Sequence, residues 1–151
     1  MEKQQVNIFI IKEIPEFLFN AGYKRIIHIL QRKISVITIA NRVSKNMGFK
    51  VGNEVGYSVR FDYNYNENTN IKFTTEGMFI REILLDPLLN KCSVIIIDDC
   101  HERTVNSEII FGFLKKYGLF FIFRIFKKRQ DLKIIISSAT IDYGNFSLFI
   151  F

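Results

Sequence analysis

The sequence contains no tryptophan, two prolines and two cysteines in 151 residues. Cys92 and Cys100 are too few for a disulfide framework, and two thiols with one nearby histidine make a poor zinc set. No apolar run approaches the roughly 20 residues that a bilayer requires, the most apolar stretch being "YGLFFIFRIF" (117–126). The opening "MEKQQVNIFIIKEIPEF" is interrupted by Lys12 and Glu13 and lacks the apolar core and cleavage site of a signal peptide. These absences argue against a disulfide-rich secreted scaffold and a membrane span, leaving a soluble intracellular domain as the expectation. Acidic residues are also short, 15 against 21 basic ones, for a net charge of +6. That balance favours a polyanionic partner such as RNA or DNA and says nothing of the fold.

What is present alternates between strand and helix. "IPEFLFN" reads as the end of a helix with Pro15 in its first turn, and Ala21-Gly22 as its stop. "YKRIIHIL" (23–30) reads as a strand. From Ser35 the apolar positions Val36, Ile39, Ala40, Val43 and Met47 recur at three and four, an amphipathic helix closed by Gly48. A strand over 55–61, an Asn-rich loop over 63–70 and a strand over 71–75 follow. The helix expected over 76–87 is stopped by Pro87 and buries Met78, Ile80, Ile83 and Leu84. "SVIII" (93–97) and "LKIIISSAT" (132–140) are apolar enough to be covered on both faces, with a helix over 107–117 between them. Asp142 stands where it would cap a last helix. The pattern implies a mostly parallel α/β sheet.

In such sheets ligands sit beyond the carboxyl ends of the strands. Two strand ends here carry chemistry, "IIIDDCH" at Asp98 to His101 and "IIISSAT" at Ser137 to Thr140. Adjacent carboxylates on a dry strand suit a Mg²⁺ ion held through its waters, and suit accepting a proton from another water. Taken alone, a pair of aspartates at a strand end reads more readily as charge meeting solvent.

The order of the surrounding segments decides between these readings. From about Ile14 to Phe151 the chain resembles the first ATPase domain of a DEAH-box RNA helicase of the pre-mRNA-splicing type. "IPEFLFNAGY" is similar to the helix after the phosphate loop, and "LQRKISVITIANRVSKNMG" to the next strand and helix, without the usual proline between Gln31 and Arg32. "VGNEVGYSVRFD" and "IKFTTEGMFIREILLDPLL" match the following two blocks. "SVIIIDDCHERT" stands where Asp-Glu-Ala-His-Glu-Arg-Thr belongs, and "DLKIIISSATID" carries Ser-Ala-Thr.

The resemblance implies a RecA-like, P-loop NTPase-type mostly parallel sheet flanked by helices, ATP and Mg²⁺ as cofactors, and RNA as partner. It places Mg²⁺ at Asp98 through water, water activation at Asp99, γ-phosphate sensing at His101, and coupling at Ser138, Ala139 and Thr140. It places RNA backbone contacts at Arg32 and Lys33, at Arg60, Phe61 and Asp62, and at Thr75 and Gly77. Arg32 and Lys33 read equally well as an ordinary solvated edge. Spliceosomal ribonucleoprotein components and nuclear residence extend the implication.

Three departures limit it. No G-x-x-x-x-G-K-[ST] segment occurs, and no glycine precedes Gly22, so no phosphate-binding loop is found. Asp99 replaces a glutamate, and the shorter side chain withdraws its carboxylate by about an ångström, a misplacement worth around a hundredfold in rate. The sequence ends soon after Ser-Ala-Thr, on Phe-Ile-Phe. The expectation is therefore a divergent segment over 1–13 and a partial helicase ATP-binding domain over 14–151, incomplete at its N-terminus. The stretch 117–126 reads as an extended helix on the sheet, a partner surface or translated non-coding sequence. Two alternatives stand beside the helicase: a degenerate, non-catalytic RNA-binding or protein-interaction module, and a gene fragment without independent activity.

Overall fold

The computed structural model describes residues 13–98, 129 and 131–136. Within them one six-stranded sheet carries helices on both faces. The elements are α1 (13–20), β1 (Ile26–Leu30), α2 (Lys33–Asn46), β2 (Val55–Val59), β3 (Asp62–Asn64), β4 (Ile71–Thr75), α3 (Glu76–Leu85), β5 (Val94–Ile97) and β6 (Lys133–Ile136). The strand order is β3-β2-β4-β1-β5-β6, and every pair is parallel except β2 with β3. This is the mostly parallel α/β sheet that the alternation of strands and helices led us to expect, and it fits the RecA-like fold that the resemblance implies.

Central parallel strands are buried on both faces, which explains the unbroken apolar runs. On one face Ile26, Leu30, Val55, Val59, Ile71, Phe73, Val94 and Ile96 pack against Val36, Ile39, Ala40 and Val43 of α2. On the other, Ile27, Ile29, Ile95 and Ile97 meet Phe79 and Ile83 of α3, with Leu89, Cys92 and Leu132 closing the layer. Each such aliphatic side chain contributes about 1.5–3 kcal/mol on burial.

Both helices on the α2 side end the same way. Gly22 (φ 92°) and Gly48 (φ 75°) adopt the left-handed conformation that stops α1 and α2. Tyr23 N–H then donates to Leu18 C=O at 3.0 Å and Phe49 N–H to Ser44 C=O at 2.8 Å, which satisfies carbonyls the helices leave over. The Phe19 and Phe49 rings beside these ends meet edge to face, 6.0 Å between centroids.

Three expectations need correction. The strand expected over 55–61 ends at Val59, and the residues after the Arg60-Phe61 turn form β3, whose Tyr63 and Asn64 fall in the segment read as loop. The strand expected from Tyr23 starts at Ile26, because Arg25 takes φ 57°. In α3 the buried residues are Glu76, Phe79 and Ile83, whereas Leu84 is 63% exposed. Facing is set by how the helix leaves β4, which the spacing of apolar residues does not fix. The helix expected over 107–117, the residues 137–140 and the helix after Asp142 lie outside the described residues.

Candidate functional site

Four parallel strands end on one edge, and their registers bring the ends level. Leu30 stands beside Thr75, Ile29 beside Ile97, and Ser58 beside Thr74. Along that edge lie the Arg60-Phe61 turn after β2, Thr75 to Gly77 after β4, Gln31 to Lys33 after β1 and Asp98 after β5. Neighbouring strands are about 4.8 Å apart, so three spacings separate Asp98 from the Arg60-Phe61 turn by about 14 Å.

Asp98 is fixed by the sheet itself, its N–H donating to the Ile29 carbonyl at 3.1 Å. Its side chain is 10% exposed, and Oδ2 lies 3.9 Å from Nε2 of His28. His28 is wholly buried on β1, beside Phe73 at 5.3 Å between ring centroids, and neither ring nitrogen has a hydrogen-bond partner. Burial lowers its pKa to about 3, so the ring is neutral at physiological pH and the contact is not an ion pair.

At the end of β1, Arg32 is the extended N-cap of α2 and Lys33 its first residue, both exposed. No side chain caps this terminus and no acidic residue lies in its first turn. A helix start of this kind presents N–H groups and a positive dipole end to an anion. Thr75 is the extended N-cap of α3 and Gly77 is exposed one residue into the helix, without a side chain to hinder approach. Thr74 donates from Oγ1 to the Ser58 carbonyl at 3.0 Å, locking β4 to β2 just below these groups.

The turn after β2 projects furthest. Phe61 is 91% exposed at φ 67°, with the Arg60 guanidinium 4.7 Å from its ring centroid. Asp62 turns back instead, its carboxylate accepting from the Tyr57 hydroxyl at 3.4 Å on both oxygens. Burial first, and then the Asp62 charge and hydrogen bond, raise the Tyr57 phenol above its ordinary range.

Of the site residues expected from the sequence, Asp98, Arg32, Lys33, Arg60, Phe61, Asp62, Thr75 and Gly77 therefore share one edge of the sheet. Asp99, His101, Ser138, Ala139 and Thr140 lie outside the described residues. Sequence reasoning passed over His28, whose signal was one polar residue inside "IIHIL". It also passed over Arg129, hidden in the basic run 127–129.

Comparison with known proteins gives several close relatives. The chain is 43% identical over 139 residues to "Probable ATP-dependent RNA helicase DHX35" of Homo sapiens, covering 89% of this chain and 19% of that protein. The Pongo abelii protein of that name is 43% identical over 139 residues, 89% of this chain and 18% of its own length. The Caenorhabditis elegans "Probable ATP-dependent RNA helicase DHX35 homolog" is 42% identical over 134 residues, 86% of this chain and 17% of its own. The chain thus spans less than a fifth of these relatives. No protein-family model matches it.

Proposed function

Because the chain belongs to the DEAH-box family of ATP-dependent RNA helicases, we propose that it forms part of the first motor domain of such an enzyme. Residues 14–151 are the partial ATP-binding unit and 1–13 a divergent segment before it. In this reading nucleotide hydrolysis opens and closes two motor domains, and that movement carries them along single-stranded RNA. The observation that supports it is the single edge with Asp98 at one end and the RNA-facing groups on the next three strand ends.

Asp98 would hold Mg²⁺ through water. A lone carboxylate suits an ion that keeps most of its waters, and among the described residues no group of three or more His, Cys, Asp or Glu forms a closed cage. When bound, Mg²⁺ neutralises charge on the nucleotide phosphates. Asp99 is assigned the attacking water, His101 the terminal phosphate, and Ser138, Ala139 and Thr140 the coupling to strand movement. Arg32, Lys33, Arg60, Phe61, Thr75 and Gly77 face RNA, with Asp62 bracing the turn through Tyr57. Spliceosomal ribonucleoprotein components as partners, and the nucleus as location, complete the proposal by analogy with the family.

One observation favours a second reading: the sequence holds no G-x-x-x-x-G-K-[ST] segment. By that reading the chain alone binds RNA without turning over ATP. A fluorescent oligouridine titrated at several salt concentrations, with and without Mg-ATP, tests both readings alongside RNA-stimulated phosphate release. The expected result is binding that weakens steeply with salt, with negligible turnover. Turnover abolished by Asp98→Ala would make the chain a competent ATPase on its own. No binding at low salt would sink both readings.

A further inference from the structure

His28 is the one buried polar side chain among the described residues whose hydrogen-bonding atoms are both left without a partner. Such atoms are costly to shut away from water, so a polar group in this state calls for a use. Nε2 lies 3.9 Å from the Asp98 carboxylate. The two residues sit on paired strands, His28 level with Ile96 and Asp98 two residues further along. An approach of about 1 Å turns their contact into a normal hydrogen bond.

We propose that His28 is the positioning residue of Asp98, its Nε2–H donating to that carboxylate and holding it in one orientation for a divalent cation. The tautomer follows from the chemistry of the pair. A neutral imidazole has one donor and one acceptor nitrogen, and an ionised carboxylate only accepts, so the nitrogen facing Asp98 carries the proton. Phe73 against the ring limits its rotation. The arrangement matches the way outer-shell partners fix metal-binding carboxylates. The role rests on the reading of Asp98 as the cation-holding residue.

The test uses the 151-residue chain labelled with ¹⁵N-histidine, the two histidines being told apart with His28→Gln. At neutral pH the long-range ¹⁵N–¹H spectrum should show His28 as the Nε2–H tautomer with a slowly exchanging ring proton. In Asp98→Ala that proton should move upfield and exchange faster. A Nδ1–H tautomer in the wild type overturns the proposal without any variant, as does a ring proton unchanged in Asp98→Ala. Mn²⁺ titration, read as line broadening at Ile97, supplies the second arm. His28→Gln, which still donates, should match the wild type, whereas His28→Leu should need several-fold more Mn²⁺. Equal behaviour of His28→Leu and wild type overturns the positioning role. Absence of Mn²⁺ broadening in the wild type, with the ring proton bonded, overturns instead the reading of Asp98 as a cation site.

Discussion

The Arg60 guanidinium lies 4.7 Å from the centroid of the Phe61 ring, and that ring is almost wholly exposed on a residue at φ 67°. A bulky residue in the left-handed region costs about 1–2 kcal/mol, and here no burial of the ring offsets it. Phe61→Gly should therefore raise stability by roughly 0.5–1 kcal/mol in urea unfolding. Stacking of an aromatic ring on a base contributes about 1–3 kcal/mol, so the same change should weaken oligouridine binding roughly tenfold. A variant losing both stability and binding would make Phe61 part of the fold rather than of the RNA surface.

Arg129 uses its side chain as a clamp. Nη1 and Nη2 donate to the Leu89 and Cys92 carbonyls at 2.7 and 2.6 Å, and Nε and Nη2 to the two Asp131 oxygens at 2.9 Å. The start of β6 is thereby pinned to the loop between α3 and β5. Arg129→Ala leaves those carbonyls unpaired and should cost about 2–4 kcal/mol in chemical denaturation. Arg129→Lys should recover only a fraction, since an ammonium cannot span the fork. Asp131→Asn should matter little, because Asp131 is 65% exposed.

Gly56 on β2 has backbone where a side chain would go. A Cβ there would lie 2.6 Å from the Asn64 carbonyl oxygen and 2.7 Å from the Tyr65 Cβ. Neither can move without opening the β2–β3 hairpin. Gly56→Ala should cost about 2–3 kcal/mol and raise amide exchange at Asn64, which pairs with Tyr57. Full stability in this variant would show that β3 is loosely attached.

Burial raises the Cys92 thiol to about 12, with the sulfur donating to the Val94 carbonyl at 3.3 Å. The unfolded thiol ionises near 9, so the buried form contributes stability that is intact below that pH and is lost as pH rises towards 12. The full difference is on the order of 4 kcal/mol. Relative to Cys92→Ala, the wild type should lose stability more steeply over that interval. In a Cys100→Ser background, a thiol reagent at pH 8 should label Cys92 only as fast as the chain unfolds. Rapid labelling of the folded chain would place the thiol at the surface.

The legible parts of the fold were those whose signal is local. β4 was read with its observed limits, because "IKFTT" is bounded by an Asn-rich loop and by a helix start. Asp98 was visible as the first charge after a dry strand. β3 was not visible, since Asp62-Tyr63-Asn64 carries no buried hydrophobic residue and holds to β2 through backbone pairing and the polar Tyr57–Asp62 contact. The turn before it uses Arg60 and Phe61 rather than glycine, which removed the usual turn signal. The meeting of His28 with Asp98 depends on β1 lying beside β5, and only the strand order creates it.

The strand order also governs how the chain is made. β1 is the earliest of the described strands to leave the ribosome, yet its partners are β4 and β5, so Ile26 waits for Ile71 on one side and Val94 on the other. During that interval an isoleucine-rich segment travels with both backbone edges open, the kind of surface on which aggregates grow and chaperones act. Slow translation between β1 and β4 would lengthen the exposure, and a holding chaperone would shorten its consequences. A strand at the middle of this sheet is synthesised before either of its partners.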